Sequence, residues 1–393
     1  MTTDSNPGMG SGGGSGSGST PHRWRWSSIL RDPGPGAGPY RQAVPRDVVN
    51  VAPEWASSEP DVGTRCRAPS LVQMMRPRPP SFEALFHLAY ASIRQTCSGK
   101  PSPGVAVVAV DGSRREVAGS LWRSAVGDGD RAIVVGRHHL ADLALDGDYS
   151  LSLRHLLLFV GSVETTARGP SRPSVTLIDL RSRAGVQDEE GTRREAMRSD
   201  GPMFVQCGPL ALFVFPTATG ERWPSSAEPA WAGLPARVLV GPQPPSVLAP
   251  VAVRRVRIPG TSDILSLLGP VGCTDALIHA GETRQATLTI ESPWGFERAA
   301  VGGAALDRGV LLGRYDRCDG SALLRSDAVS RTHLLIIRVN DAVFAIDLRS
   351  SNGTWVLSNA SSIGTEMCVI RLDGPRLIGL SGEPVLVHWQ PVH

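Results

Sequence analysis

The feature that most constrains this chain is an internal repeat, which relates residues 103–216 to residues 284–393. Three short strings occur in both regions, in the same order and at nearly the same spacing. Three ordered matches rarely arise by coincidence, so the chain is expected to carry two copies of one domain. In chain order, the matched strings are residues 133–137 with 310–314, 152–155 with 330–333, and 178–182 with 346–350. The two strings of the third pair are identical and read Ile-Asp-Leu-Arg-Ser.

Both copies consist of short apolar runs separated by Asp/Gly turns, which predicts β-strands. In the second copy, residues 334–339 and 342–348 flank a two-residue Asn340-Asp341 turn, the signature of a β-hairpin. The first copy has a longer insertion between its matching strands, which predicts an extended loop at residues 161–173. We therefore predict an all-β fold of two β-sandwiches.

The remaining segments have different compositions. Residues 1–80 are rich in Gly, Ser, Pro and Arg and are expected to form a disordered tail. Residues 81–100 place apolar side chains at helical spacing behind Ser81, a good N-cap, and predict one short helix. Residues 217–283 are Pro-rich in their first half and are interpreted as a linker between the two sandwiches.

The charge, the cysteine spacing and the amino-terminal sequence argue against several kinds of partner, site and location. The net charge is only +3, with both signs mixed along the chain, so neither nucleic acid nor a membrane surface is expected as a partner. The six cysteines are far apart and have no histidine at ligand spacing, so no metal site and no disulfide framework is predicted. The amino terminus lacks the basic start and apolar run of a signal peptide, so we expect a cytoplasmic protein.

No motif for catalysis or for cofactor binding is present in either copy. The chain has no P-loop, no H-E-x-x-H, no nucleophile elbow, and no kinase glycine loop followed by its lysine. Its single lysine, Lys100, precedes the β-rich region. We therefore expect neither an enzyme nor a protein with a small-molecule substrate or cofactor.

The second copy resembles a forkhead-associated (FHA) domain. Its Gly313-Arg314, its Ser330-Arg331-x-His333 and the run from Asp347 to Thr354 occur in the order and at the spacing typical of that family. The resemblance covers residues 284–393 well and residues 103–216 in weaker form. It implies an eleven-stranded β-sandwich that binds a phosphothreonine peptide with the loops at one end.

The resemblance also implies a role for each motif residue. A phosphate dianion requires a guanidinium fork and short donors. Arg314 is expected to supply the fork, Ser330 and Ser351 the hydroxyl groups, and Arg331 and Asn352 contacts to the peptide backbone. Structural roles in the loops are implied for Gly313, His333, Asp347 and Gly353. For each binding residue taken alone, an ordinary turn or surface position is favoured, and only the set indicates binding.

The first copy departs from the family pattern. It keeps Arg137, Ser152 and His155, but Arg183 and Ala184 stand where the second copy has Ser351 and Asn352. Arg183 could replace the lost hydroxyl as a phosphate ligand, giving a degenerate site of Arg137, Ser152 and Arg183. A structural role, or an unphosphorylated partner, is favoured for this copy.

Two functions of the whole chain remain open on the sequence. The first is an adaptor in Ser/Thr kinase signalling whose partner is a phosphothreonine protein, a substrate of such a kinase. The second is a phosphate-independent scaffold that uses both sandwiches for constitutive assembly. Three arginines near the predicted loops could favour acidic residues beside the phosphothreonine or could be ordinary surface arginines: Arg317, Arg325 and Arg349.

Overall fold

The fold is that of a computed structural model, which describes residues 80–126, 131–146, 149–161, 163, 172–240, 261–267, 277–358, 361–366, 368–381 and 384–392. The expected disordered tail lies outside these residues except for Pro80. In the part of the chain that is described, no helix is long and apolar enough to cross a membrane.

The first helix, α1 (Phe82–Cys97), lies over the segment where the sequence predicts one. The Ser81 side chain accepts a hydrogen bond from the amide of Ala84 at 3.2 Å, which satisfies one of the free amides of the first turn. The buried face of α1 packs on the aromatic side chains of the adjoining sheet, among them Phe213 and Phe215.

Two sheets form the first sandwich. One has the strand order β2-β1-β11-β10-β7-β8 and the other β12-β13-β9-β6-β5-β3-β4. The strands are β1 (Gly104–Asp111), β2 (Glu116–Ser124), β3 (Arg131–Gly136), β4 (Leu143–Ala144), β5 (Leu156–Val160), β6 (Val175–Asp179), β7 (Val186–Gln187), β8 (Arg193–Arg194), β9 (Ala196–Ser199), β10 (Met203–Cys207), β11 (Leu210–Thr217), β12 (Ala236–Val240) and β13 (Thr261–Leu267).

Part of the segment interpreted as a linker belongs structurally to the first sandwich. Strands β12 and β13 run parallel to each other, and β13 pairs antiparallel with β9. Helix α2 (Ala227–Ala232) places Trp231 against Phe86 with ring centroids 5.1 Å apart. The prolines that suggested a linker, Pro242, Pro244 and Pro245, fall between the two strands in the sequence and so do not interrupt either ladder.

The second sandwich also has two sheets. Their strand orders are β15-β14-β23-β22-β19-β20 and β16-β17-β18-β21. The elements are β14 (Arg284–Ser292), β15 (Gly295–Gly302), helix α3 (Gly303–Arg308), β16 (Val310–Leu312), β17 (Leu334–Val339), β18 (Ala342–Asp347), β19 (Thr354–Ser358), β20 (Ser361–Glu366), β21 (Val369–Arg371), β22 (Arg376–Leu380) and β23 (Leu386–Pro391).

The structure confirms the predicted hairpin in the second copy. Strands β17 and β18 are antiparallel, with Val339 paired to Ala342 across the turn. Asn340 and Asp341 both have positive φ, at 50° and 64°, which is the backbone of the tight turn that matches the twist of the strands. The predicted all-β architecture of two sandwiches is likewise confirmed, because each pair of sheets encloses its own apolar core.

The two sandwiches share a third apolar core, formed between the β5-containing sheet and the β17-containing sheet. In β17 Leu334 and Ile336 face the core of the second sandwich, while Leu335 and Ile337 face the first sandwich. Both faces of β5 are buried in the same way. Because successive side chains of a strand point to opposite faces, these strands need apolar residues on both faces, and in β17 only Arg338 departs from this pattern. From Pro80 onward, the described residues accordingly form one compact unit.

Candidate functional site

In the candidate site of the second sandwich, two loop segments lie close together along their backbones. After β16 the chain passes within contact distance of the loop before β17, and the amides of Arg314 and Tyr315 donate to the carbonyls of Ser330 and Arg331 at 3.2 and 3.0 Å. A Cβ at Gly313 would lie 2.3 Å from the Arg331 carbonyl oxygen. Glycine is therefore required here for lack of a side chain, as the family pattern implies.

His333 joins two loops from inside the sandwich. Its ring is fully buried, Nδ1 accepts from the amide of Ser330 at 3.0 Å, and Nε2 donates to the carbonyl of Gly353 at 3.1 Å. These two contacts require the neutral tautomer with its proton on Nε2. Burial lowers the pKa of His333 to about 4, although the carboxylate of Asp347, 3.9 Å from Nε2, acts in the opposite direction.

Asp347 organises the start of the second loop. Its carboxylate accepts from the Ser350 amide at 2.9 Å, from the Ser350 hydroxyl at 2.6 Å and from the Thr354 hydroxyl at 2.5 Å. The loop then turns through Gly353, whose φ of 76° favours glycine. The four residues predicted to be structural thus lie at the base of the loops rather than at their tips.

The loop tips carry the residues predicted to bind. Ser330 is buried and its Oγ accepts from the Ser351 amide at 2.9 Å, which leaves its hydroxyl proton free to donate. The Asn352 side-chain amide donates to the carbonyl of Ala328 at 2.8 Å, while the rest of the side chain is exposed. Arg331 is exposed beside them. The structure therefore brings the three predicted segments together at one edge of the sandwich.

Arg314 projects from this edge toward solvent. Its side chain is 35% exposed, and Nη1 lies 3.4 Å from a carboxylate oxygen of Asp327, which is itself almost fully exposed. An ion pair of this kind contributes little, because both groups remain hydrated. Arg314 can exchange this partner for a more strongly charged anion. No sequence pattern singles out Asp327, which we did not predict as part of the site.

The first sandwich has the same loop scaffold but different side chains. Ser152 donates its amide to Nδ1 of His155 at 3.1 Å, and the Arg183 amide donates to Ser152 Oγ at 3.2 Å. Arg183 thus occupies the position of Ser351, as the sequence alignment placed it. Arg137, however, donates to the carbonyl of Leu151 at 2.9 Å, and its guanidinium lies 5.2 Å from the ring centroid of Tyr149.

The three arginines expected near the loops differ in their contacts. Arg349 forms an ion pair with Asp142 of the first sandwich, at 2.7 Å. Arg317 donates to the carbonyl of Arg181 at 3.3 Å. Arg325 is exposed. Two of the three arginines are therefore engaged across the interface between the sandwiches.

A family model described as the FHA domain matches residues 310–372. The second sandwich is an FHA domain. No curated protein matches this chain. Solved structures similar to part of this chain include FHA-1 of Mycobacterium tuberculosis Rv1747, 21% identical, covering 28% of this chain and 99% of the other at a TM-score of 0.21. The FHA domain of Chlamydia trachomatis CT664 is 18% identical, covering 28% and 99% at a TM-score of 0.22.

Another similar structure is Mycobacterium tuberculosis EmbR in complex with a low-affinity phosphopeptide. It is 22% identical and covers 30% of this chain and 27% of the other at a TM-score of 0.21. The identification of the FHA domain itself depends on the family match and on the motif residues.

The burial of His333 predicts a specific pH dependence of the FHA domain. An unfolded histidine has a pKa near 6.5, so between pH 6.5 and about 4 the unfolded chain binds a proton that folded His333 does not. The contribution of His333 is fully present above pH 6.5 and is lost as the pH falls toward 4, by on the order of 3 kcal/mol. In the His333→Gln variant the free energy of unfolding, measured by urea denaturation, is expected to fall less steeply over this range. Equal slopes for parent and variant would contradict the assignment.

Proposed function

We propose that the chain is a non-enzymatic adaptor whose FHA domain binds phosphothreonine peptides. The observation that carries this proposal is the exposed Arg314 side chain, whose backbone amide donates to the Ser330 carbonyl. Among the described residues its one charged partner is the exposed Asp327. A phosphate dianion offers about −1.5 to −2 charges and three acceptor oxygens, and so competes well against one solvated carboxylate.

The remaining motif residues support the same proposal. The Ser351 hydroxyl lies on the loop that its own amide ties to Ser330. The Asn352 side chain bridges to the loop of Ala328 through its amide nitrogen and keeps its carbonyl oxygen to accept from a peptide amide. We assign phosphate contacts to Arg314, Ser330 and Ser351, and peptide-backbone contacts to Asn352 and to the exposed Arg331.

The ligand proposed is a phosphothreonine segment of a protein modified by a Ser/Thr kinase, met in the cytoplasm. The similar structure of Mycobacterium tuberculosis EmbR is a complex with a low-affinity phosphopeptide. The first sandwich is assigned a structural role, because its Arg137 is held by Leu151 and Tyr149 and it lacks both Ser351 and Asn352 equivalents.

Phosphate dependence decides between this function and a constitutive scaffold. An array of degenerate phosphothreonine peptides and the same array with unmodified threonine are incubated with the full-length chain. We expect saturable binding to members of the phosphorylated array only, because the site is built for a dianion. Equal capture by both arrays, or capture of partners that survives phosphatase treatment, would support the scaffold and overturn the adaptor.

A further inference from the structure

The interface between the sandwiches has approximate two-fold symmetry that includes its charges. Arg349 pairs with Asp142 of the first sandwich at 2.7 and 3.0 Å, and the matching Arg181 pairs with Asp319 of the second at 2.8 Å. Each arginine is the fourth residue of the identical five-residue string. Each aspartate also accepts a backbone amide of its own sandwich, Val134 for Asp142 and Leu311 for Asp319, at 3.0 and 2.9 Å.

The arginines of the repeated string precede the loops that carry the candidate sites. Arg349 has a φ of 57° and Arg181 one of 55°, a backbone region that non-glycine residues adopt only with support from their surroundings. Ser350 and Ser351 follow Arg349 directly. The conformation that directs Ser351 and Asn352 toward the site is thus fixed in part by a contact to the other sandwich.

One further contact breaks the symmetry. Arg154 of the first sandwich, buried to 4% exposure, donates from Nε to the carbonyl of Leu348 at 2.5 Å and from Nη2 to the carbonyl of Arg349. The position of Arg154 in the repeat is occupied by Thr332 in the second copy, whose side chain is too short to make the same span. Arg154 therefore supports the main chain of Leu348 and Arg349 in the FHA domain. The carbonyl of the matching Arg181 accepts instead from Arg317 of the FHA domain at 3.3 Å.

Burying the Arg154 guanidinium costs desolvation free energy, which its hydrogen bonds must offset. Desolvation lowers its pKa, and the Asp347 carboxylate partly opposes this effect. Its two acceptors are backbone carbonyls, which fix a main-chain path rather than a side-chain position. Asp347 holds the following Ser350 from within the FHA domain. The segment entering the binding loop is consequently held from both sides.

We propose that the first sandwich positions the phosphopeptide-binding loop of the FHA domain, with Arg154 and Asp142 as its positioning residues. The inference rests on the proposed function. The proposal gives a role to a sandwich that has no complete binding site of its own. The first sandwich fixes the backbone at Leu348 and Arg349, and the side chains of Ser351 and Asn352 are thereby preorganised. Preorganisation raises affinity by reducing the ordering cost of binding.

The test compares variants of the full-length chain in which single arginines at the interface are replaced. Arg154→Met and Arg349→Met each remove contacts that hold the loop. Arg181→Met removes the matching ion pair to Asp319 and a contact to the Arg317 carbonyl, both of which lie outside residues 348–353. The probe is the tightest-binding phosphothreonine peptide from the degenerate array, labelled with fluorescein and titrated by anisotropy. Amide hydrogen exchange of residues 348–353 and thermal denaturation are measured on the same samples.

We expect Arg154→Met and Arg349→Met to weaken peptide binding about tenfold, within the usual range of coupling between sites. The amides of Ser350 and Ser351 should exchange faster in both variants, and Arg154→Lys should recover part of the affinity. Arg181→Met should bind within about twofold of the parent at a similar loss of thermal stability. Should Arg154→Met fail to fold, Arg349→Met carries the same comparison, since it leaves the Arg154 contacts in place.

Three outcomes would overturn the proposal. Binding by Arg154→Met and Arg349→Met equal to that of the parent would remove the coupling. Losses that are equal in all three methionine variants would reflect general destabilisation. Unchanged exchange at Ser350 and Ser351 would show that the loop is not held in this way. Failure of the proposed function is distinguishable, because then the parent itself binds no member of the array, and the positioning proposal falls with it.

Discussion

Replacing Arg314 with alanine in the full-length chain is expected to weaken phosphothreonine-peptide binding at least tenfold. Each charge-assisted hydrogen bond to phosphate contributes about 1.5 to 3 kcal/mol, and a guanidinium fork can make two of them. A loss of 1.4 kcal/mol corresponds to about tenfold in the dissociation constant. Isothermal titration with a phosphothreonine peptide and its unmodified twin measures the change, which should affect the phosphorylated peptide alone.

The repeat supplies matched controls for Arg314. Arg137→Ala changes the corresponding residue of the first sandwich and should leave affinity within about twofold, since that arginine is held by Leu151 and Tyr149. Asp327→Asn removes the carboxylate that competes for Arg314 and should strengthen binding modestly. If Arg314→Ala binds as tightly as the parent, the phosphate assignment is wrong. If Arg137→Ala causes the larger loss, the binding site lies in the first sandwich.

Replacing Phe344 with alanine is expected to lower the free energy of unfolding by about 3 to 5 kcal/mol, the usual cost of removing a buried phenyl ring. Phe344 is 5% exposed and its ring centroid lies 5.0 Å from that of Phe159 in the other sandwich. Its deletion leaves a cavity in the shared core. Urea denaturation of the full-length chain, followed by tryptophan fluorescence, measures the change.

Phe296 provides the control for this prediction. It lies in β15, is 66% exposed and is outside the shared core, so Phe296→Ala should change stability by less than about 0.5 kcal/mol. A loss below about 1 kcal/mol for Phe344→Ala would mean that the two sandwiches are not packed through this surface.

The second copy, once removed from the first, is expected to expose this continuous apolar sheet face and to self-associate.

The sequence determined much of the fold because its signals are local or repeated. Alternation of apolar residues around Asn340-Asp341 fixed the β17–β18 hairpin, and Ser81 with the spacing behind it indicated α1. The ordered repeat required two related domains, and the motif residues placed the candidate site. Gly313 and Gly353 could be predicted as backbone requirements because the family pattern reflects close approach and positive φ.

The linker interpretation of residues 217–283 missed two paired strands. The proline content of residues 217–283 suggested a linker, yet β12 and β13 extend a sheet of the first sandwich, because the prolines lie outside the paired stretches. Strand pairing across many residues depends on partners that no local window contains.

Contacts distant in sequence were decided only by the tertiary structure. The string Ile-Asp-Leu-Arg-Ser was visible as an identity, but the sequence did not show that its two arginines pair with Asp142 and Asp319 of the opposite sandwich. Arg154 carried no signal at all, since its acceptors are backbone carbonyls nearly two hundred residues away. Every residue has a main-chain carbonyl, so only the fold determines which carbonyls the Arg154 side chain contacts. The local patterns of the chain thus predicted two related sandwiches, whereas the surfaces that meet and the contacts of the Arg349 segment follow from long-range packing.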